Sequence, residues 1–288
     1  MTQPATPAIL SNATAALPTV AVLGCGWLGL PLARALVAAG YPVRGTTTTP
    51  SQLLTLHDAG IQPFLLRLTP TLSLTDADTL TVLLQGVEVL LLNVPPGRGP
   101  GQPEAYPILL GQVAKAAAAA GVAHVLLVSS TGVYPDQARI MHEDDAQASP
   151  DAESHLLRGE ALFQGPDNTV VRMAGLMGPG RQPGRFLAGR TGVAHGEAPV
   201  NMVHLHDCIG LLLKVLELGL WGYTLNGCAA THPSRRTFFT AAASQLGLTP
   251  PTFAEGASGG KQIDSTAIRH LTQYRFRHDD VVAALSFC

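Results

Sequence analysis

Lysine is nearly missing from this 288-residue sequence: of 18 basic residues, only Lys115, Lys214 and Lys261 are lysines. Charge of either sign is scarce, at 13% of residues, about half the usual share. With a net charge of −2, the chain lacks the basic surface that holds a nucleic-acid backbone. Long apolar runs are missing too. The oily stretch 82–94 is broken by Gln85 and Glu88, short of the roughly 18–20 residues of a membrane span. No Lys or Arg precedes Arg34, so a secretory leader or transit peptide is not expected, and a cytoplasmic protein is. Cys25, Cys208, Cys228 and Cys288 form no C-x-x-C pair and read as reduced thiols. What is plentiful is apolar residues, 46% of the chain, which favours a buried core over disorder.

Residues 1–18, rich in Ala, Thr and Pro, read as a flexible tail. From there short apolar runs alternate with helical patterns. Strands are expected over 19–23, 42–45, 61–68, 87–93, 123–130 and 168–173, and helices over 28–39, 50–59, 75–85, 104–120 and 151–163. The Pro- and Gly-rich stretch 94–103 is a loop. This alternation predicts an α/β fold, a Rossmann-type doubly wound parallel sheet over residues 19–175. Beyond Gly175 the rhythm breaks. Strands over 199–203 and 223–226 and helices over 205–218 and 234–246 suggest a smaller C-terminal α/β substrate-binding lobe, 176–288, partly returning to the sheet and closing over its carboxyl edge, where ligands bind.

Gly24-Cys25-Gly26-Trp27-Leu28-Gly29 is a G-x-G-x-x-G turn between a strand and a helix. Gly24 makes the tight turn, Gly26 leaves bare backbone for a pyrophosphate, and Gly29 lets the helix approach the strand. The helix start then offers N–H groups to the phosphates. About 20 residues on, an Asp or Glu would mark NAD. The sequence instead reads Arg44-Gly45-Thr46-Thr47-Thr48-Thr49, which favours NADP, with NAD the alternative; Arg44 either faces a 2′-phosphate or points away.

Val128-Ser129-Ser130-Thr131-Gly132-Val133-Tyr134 is similar to an S-S-x-x-V-Y stretch. The run from Arg172 to Arg181 is similar to R-P-x-x-x-x-G-P-G, and Asn201-Met202-Val203-His204-Leu205-His206-Asp207 to N-x-[IV]-H-x-x-D. In this order, with the glycine turn, the chain resembles the extended short-chain dehydrogenase/reductases, and within them an atypical branch of the NAD(P)-dependent epimerase/dehydratase family. The resemblance implies nicotinamide redox chemistry on a small-molecule substrate, commonly a sugar nucleotide. It implies Thr131 as the hydroxyl that bonds the substrate oxygen. The implied cofactor positions are Gly24, Gly26, Trp27, Leu28, Gly29, Arg44, Thr46, Thr47, Thr48, Leu68, Asn93, Val94, Pro95, Ser129, Ser130 and Ala174. The implied substrate positions are Arg172, Arg181, Arg185 and Asn201, and in that family the helix matching the Ala-rich 104–120 often builds a dimer interface, so a homodimer stands beside close packing on the protein's own sheet.

The departures concern chemistry. The family's proton relay is Tyr-x-x-x-Lys, the lysine lowering a phenol pKa of about 10. Here the residues four places beyond the five tyrosines are Gly45, Leu110, Ala138, Gly227 and His278. The relay positions themselves fall at Ala152 and Leu156. Tyr134 is the best substitute acid, ahead of His155, Asp136, His142 and Glu143. His204-x-His206-Asp207 has zinc-ligand residue types but no third spaced ligand, so it reads as a strand end and helix cap and no metal is expected. Arg181, Arg185 and Arg190 either clamp an anion or line a solvated loop. Arg235-Arg236 at a helix start calls for a ligand or carboxylate nearby. The sequence thus predicts an NADP(H)-preferring oxidoreductase or epimerase-like protein without the usual relay; the alternative is a catalytically inactive NAD(P)-binding sensor or scaffold.

Overall fold

The computed structural model describes residues 17–97, 99, 101–256 and 259–288. The expected tail lies outside them except for residues 17 and 18, as do two positions of the expected loop 94–103. The chain runs β1 (Val20–Leu23), α1 (Gly29–Ala38), β2 (Val43–Thr47), α2 (Gln52–Asp58), β3 (Gln62–Leu65), α3 (Leu74–Leu84), β4 (Val89–Leu92), α4 (Gln102–Ala120) and β5 (His124–Ser130). It continues through β6 (Ile140–Met141), α5 (His155–Glu160), β7 (Asn168–Met173), β8 (Gly175–Met177), α6 (Gly184–Leu187), β9 (Met202–His204) and α7 (Leu205–Glu217). The last elements are β10 (Thr224–Gly227), α8 (Arg235–Gln245), β11 (Gln262–Ile263) and α9 (Thr266–Thr272).

Seven strands make one parallel sheet in the order β10-β7-β5-β4-β1-β2-β3. Strand order reverses between β1 and β4, so the loops leaving their carboxyl ends diverge and open a crevice. β1 and β4 are apolar at every position because helices cover both faces. On one face Leu32 and Leu36 of α1 and Leu211 and Val215 of α7 pack with Val20, Val22 and Leu91. On the other, Leu80 and Leu83 of α3 and Leu110 and Val113 of α4 pack with Ala21, Leu23, Leu90 and Leu92. A third cluster, centred on Met177, Met202, Phe238, Ala242 and Leu285, forms a smaller core beside the sheet. The later chain thus supplies this core, a covering helix and the edge strand β10.

Several expected boundaries move. β3 stops at Leu65, and the chain then turns inward at the buried Leu66, whose N–H donates to Thr47 O (3.0 Å). The strand expected from residue 199 starts at Met202, because Pro199 bridges Ser234 and Val200 N–H donates to Pro233 O. The helix expected over 151–163 is reduced to α5 and a 3₁₀ turn, Ala161–Phe163. Arg158 turns back to donate to Ala152 O (3.2 Å), outside the helix. Among the described residues no helix is long and apolar enough to cross a membrane.

Candidate functional site

The glycine turn is clamped from both neighbouring strands. Gly24 adopts φ +104°, in the region glycine enters without strain, and a Cβ there would meet the Asn93 carbonyl. Its N–H donates to Thr46 Oγ1 (2.9 Å), Cys25 N–H donates to Thr46 O (2.9 Å), and Asn93 Nδ2 donates to Gly24 O (3.2 Å). A side chain on Gly29 would collide with Gly24 O, so this glycine sets the distance between α1 and β1. Gly26 differs: nothing lies within 4 Å of where its Cβ would be. Bare backbone therefore faces open space at the start of α1, whose Leu28 cap makes no side-chain bond to the helix N–H groups. That is the cradle a dinucleotide's phosphates require. Cys25 is structural. Burial pushes its thiol up to about 12, and its sulfur sits where Gly45 leaves room.

Over this turn lies a cavity of about 480 Å³. Gly24, Gly26, Trp27 and Leu28 form its floor. Thr46, Thr47 and Thr48 line one end with Leu68, and Asn93, Val94 and Pro95 the other. Thr49, Gln52, Leu66 and Leu176 also line it but were not assigned from sequence. A helix opening directly after the threonine run was the available signal for Gln52. Among the described lining residues there is no carboxylate, and Arg181 is the one charged side chain.

Several expected positions lie elsewhere. Arg44 is turned away from the cavity. Its Nη1 donates to Val82 O (3.2 Å), Leu83 O (2.8 Å) and Gln85 O (2.7 Å), tying off the end of α3. Ser129, Ser130 and Ala174 are not among the lining residues. Ser129 Oγ donates to Glu160 Oε1, Ser130 Oγ accepts from Gly132 N–H, and Ala174 N–H donates to Gly227 O.

Thr131 is buried in the 3₁₀ turn that ends β5. Tyr134, a turn later, does not reach the cleft as expected. It is 3% exposed, its hydroxyl donates to Asn226 Oδ1 (2.7 Å) and accepts from Arg172 Nη1 (2.9 Å), and burial holds its pKa above the usual phenol value against the pull of Arg172. Arg172, expected at the substrate, is 1% exposed. It grips Glu160 Oε2 at 2.7 Å and donates to the carbonyls of Glu143 and Ala146. Glu143 is used as well, accepting Asn226 N–H through Oε1. α5 carries neither tyrosine nor lysine.

Asn201 is likewise withdrawn from substrate. Its Nδ2 donates to Lys261 O and its Oδ1 accepts from Ile263 N–H, both at 2.8 Å. Arg185 is exposed and bonds Gln182. Arg236 finds the expected carboxylate in Glu197 (2.8 Å). Lys261 reaches across 127 residues to donate to Tyr134 O (2.6 Å); no spacing in the sequence signals that contact. At the start of α7, Asp207 accepts N–H bonds from Arg277 and His278 and holds the C-terminal segment. His204, His206 and His278 gather with ring nitrogens within 4.8 Å. The His204 nitrogens already face His206 N–H and Phe287 O, both at 3.2 Å.

Comparison with known proteins agrees with this geometry. A family model described as NAD(P)H-binding matches residues 24–203. Protein YeeZ of Escherichia coli (strain K12) is 36% identical over 268 residues, spanning 91% of this chain and 96% of that protein. Among solved structures, MoeE5 in complex with UDP-glucuronic acid and NAD superposes with a TM-score of 0.72 at 20% identity, over 93% of this chain and 97% of that one. UDP-glucuronic acid 4-epimerase from Bacillus cereus, in complex with NAD, gives 0.70 at 18%, over 93% and 96%. At such identities the likeness is one of fold.

Proposed function

This chain belongs to the NAD(P)H-binding family, and from that premise we propose that it is an NADP(H)-preferring oxidoreductase or epimerase-like protein that works without a Tyr-x-x-x-Lys relay. The observation that carries the reading is the Gly24–Gly29 turn, held by Thr46 and Asn93 beneath a cavity with no carboxylate among its described lining residues. The residues fit a dinucleotide: Gly26 presents bare backbone and α1 its uncapped N–H groups. A nicotinamide dinucleotide would supply hydride transfer. The chain itself binds and orients. Gly26 to Leu28 would hold the phosphates, Thr46 to Thr49 and Gln52 the adenosine ribose, and Asn93 to Pro95 the nicotinamide half. Preference for NADP(H) rests on hydroxyls and an amide where a carboxylate would repel a 2′-phosphate; Arg44 plays no part in it. Thr131, at the end of β5, would hold the substrate oxygen, as the resemblance implies. The solved structures that hold UDP-sugars with NAD make a sugar nucleotide the first substrate class to try.

A second reading, a nucleotide-responsive protein without turnover, is favoured by one observation: the Tyr134 phenol is buried with both its donor and its acceptor used. Calorimetric titration with NADPH and NADH, followed by turnover assays on carbonyl and sugar-nucleotide panels, separates the two. Tighter NADPH binding with turnover lost in Thr131→Ala supports the enzyme. Binding without turnover supports the second reading. Binding of neither dinucleotide removes both.

A further inference from the structure

We infer that Arg181, carried by the loop beyond β8, is a clamp for the cofactor diphosphate, with the Trp27 indole as the shelf that aims it; this rests on the nicotinamide reading above. Three observations meet at one place. Arg181 lines the cavity over the glycine turn as its only charged side chain among the described residues. Its guanidinium lies 5.4 Å from the Trp27 ring centroid, a stacking that suits a planar cation. Trp27 is itself fixed, because its Nε1 donates to Pro179 O at 2.7 Å. The loop carrying Arg181 is closed on itself, Arg181 N–H donating to Gly178 O (2.9 Å).

A diphosphate brings two negative charges into a cleft whose other described lining groups are apolar side chains, a thiol, hydroxyls, amides and backbone. Helix N–H groups offer it only a partial positive charge. A guanidinium completes the neutralisation and matches phosphate geometry in a bidentate way. Because Arg181 and Pro179 belong to the chain beyond the glycine turn's own β–α–β unit, cofactor binding would tie that loop to the turn through Trp27. A sugar-nucleotide substrate also carries a diphosphate. The position of Arg181 against Trp27, inside the glycine turn, assigns the cation to the cofactor.

The test is titration of the full chain and its Arg181→Gln and Arg181→Lys variants with NADPH, NADH, ADP-ribose and 2′-AMP, with melting temperatures as a fold control. Loss of a charge-assisted contact should weaken NADPH, NADH and ADP-ribose alike in Arg181→Gln, by about 10- to 100-fold. Binding of 2′-AMP, which has no diphosphate, should stay within about twofold, and Arg181→Lys should recover part of the loss. Adding NADPH should protect the amides of residues 178, 180 and 181 from hydrogen exchange in the parent and not in Arg181→Gln. Unchanged NADPH affinity in Arg181→Gln overturns the inference, as does an equal loss for 2′-AMP. So does a variant that binds NADPH normally but loses UDP-sugar binding to the NADPH-saturated protein, since the cation then serves the substrate. A parent that binds NADPH with Arg181 indifferent sinks this assignment alone; a parent that binds no dinucleotide sinks the cofactor reading as well.

Discussion

Replacing Arg172 with alanine should destabilise the fold by about 3–5 kcal/mol, the range for breaking a buried ion pair from one side. The structure explains so large an effect. Arg172 and Glu160 are 1% and 0% exposed, and the guanidinium reaches both Glu160 oxygens, the Tyr134 hydroxyl and the carbonyls of Glu143 and Ala146. Its removal would leave a buried carboxylate held only by Ser129 Oγ, together with carbonyls stripped of their donor. For a chain of this size that corresponds to a fall in Tm of roughly 5–8 °C. The double variant Arg172→Met with Glu160→Leu should be less destabilised than the sum of the single ones, because it removes the uncompensated charge along with its partner. Urea unfolding of the set, with NADPH binding measured on each, checks the argument. A loss below about 1 kcal/mol for Arg172→Ala, the range of exposed pairs, would refute it and return Arg172 to the substrate cleft, where its sequence motif had placed it.

Two glycines of the turn should separate fold from binding. Gly29→Ala forces a methyl onto Gly24 O and should lower stability by about 1–3 kcal/mol. In Gly26→Ala the methyl enters open space, so Tm should hold while dinucleotide affinity drops at least about tenfold; equal Tm losses in both variants would contradict this. Stability should also fall in mild acid. Burial holds His204, His232 and His278 below their ordinary value of 6.5, so the unfolded chain takes up protons first. The stabilisation is present above pH 6.5 and is lost as pH drops below it. Thermal melts at pH 7.5 and 5.5 should show the drop, and His204→Gln should shrink it; a flat profile would count against the buried-imidazole argument.

Period and punctuation in the sequence were enough for the alternating half of the fold. Apolar runs at β1 and β4, helices closed by Gly40 and Gly121, and the G-x-G-x-x-G turn are local patterns whose physics acts over a few residues. For the same reason most of the lining of the candidate cleft was legible: Gly24, Gly26, Trp27, Leu28, Thr46 to Thr48 and Asn93 to Pro95 all sit at strand ends that the parallel topology brings together. Side-chain direction was not legible. Arg44 lies on β2, next to the threonines that line the cleft, yet it caps α3. Arg172, Tyr134 and Asn201 occupy motif positions, yet each spends its hydrogen bonds on neighbours 12 to 92 residues away. Lys261 and Arg181 make the opposite case, remote in the chain and brought by the fold to Tyr134 and Trp27. The sequence by itself determined the sheet, the turn and the scarcity of lysine that puts the usual relay in question. Tertiary structure alone decided, among the described residues, that Arg172 is buried against Glu160, that Arg44 caps α3 and that Arg181 lines the cleft. A charged side chain settles where its desolvation is offset, and its partners come from strands and loops that only the folded chain sets side by side.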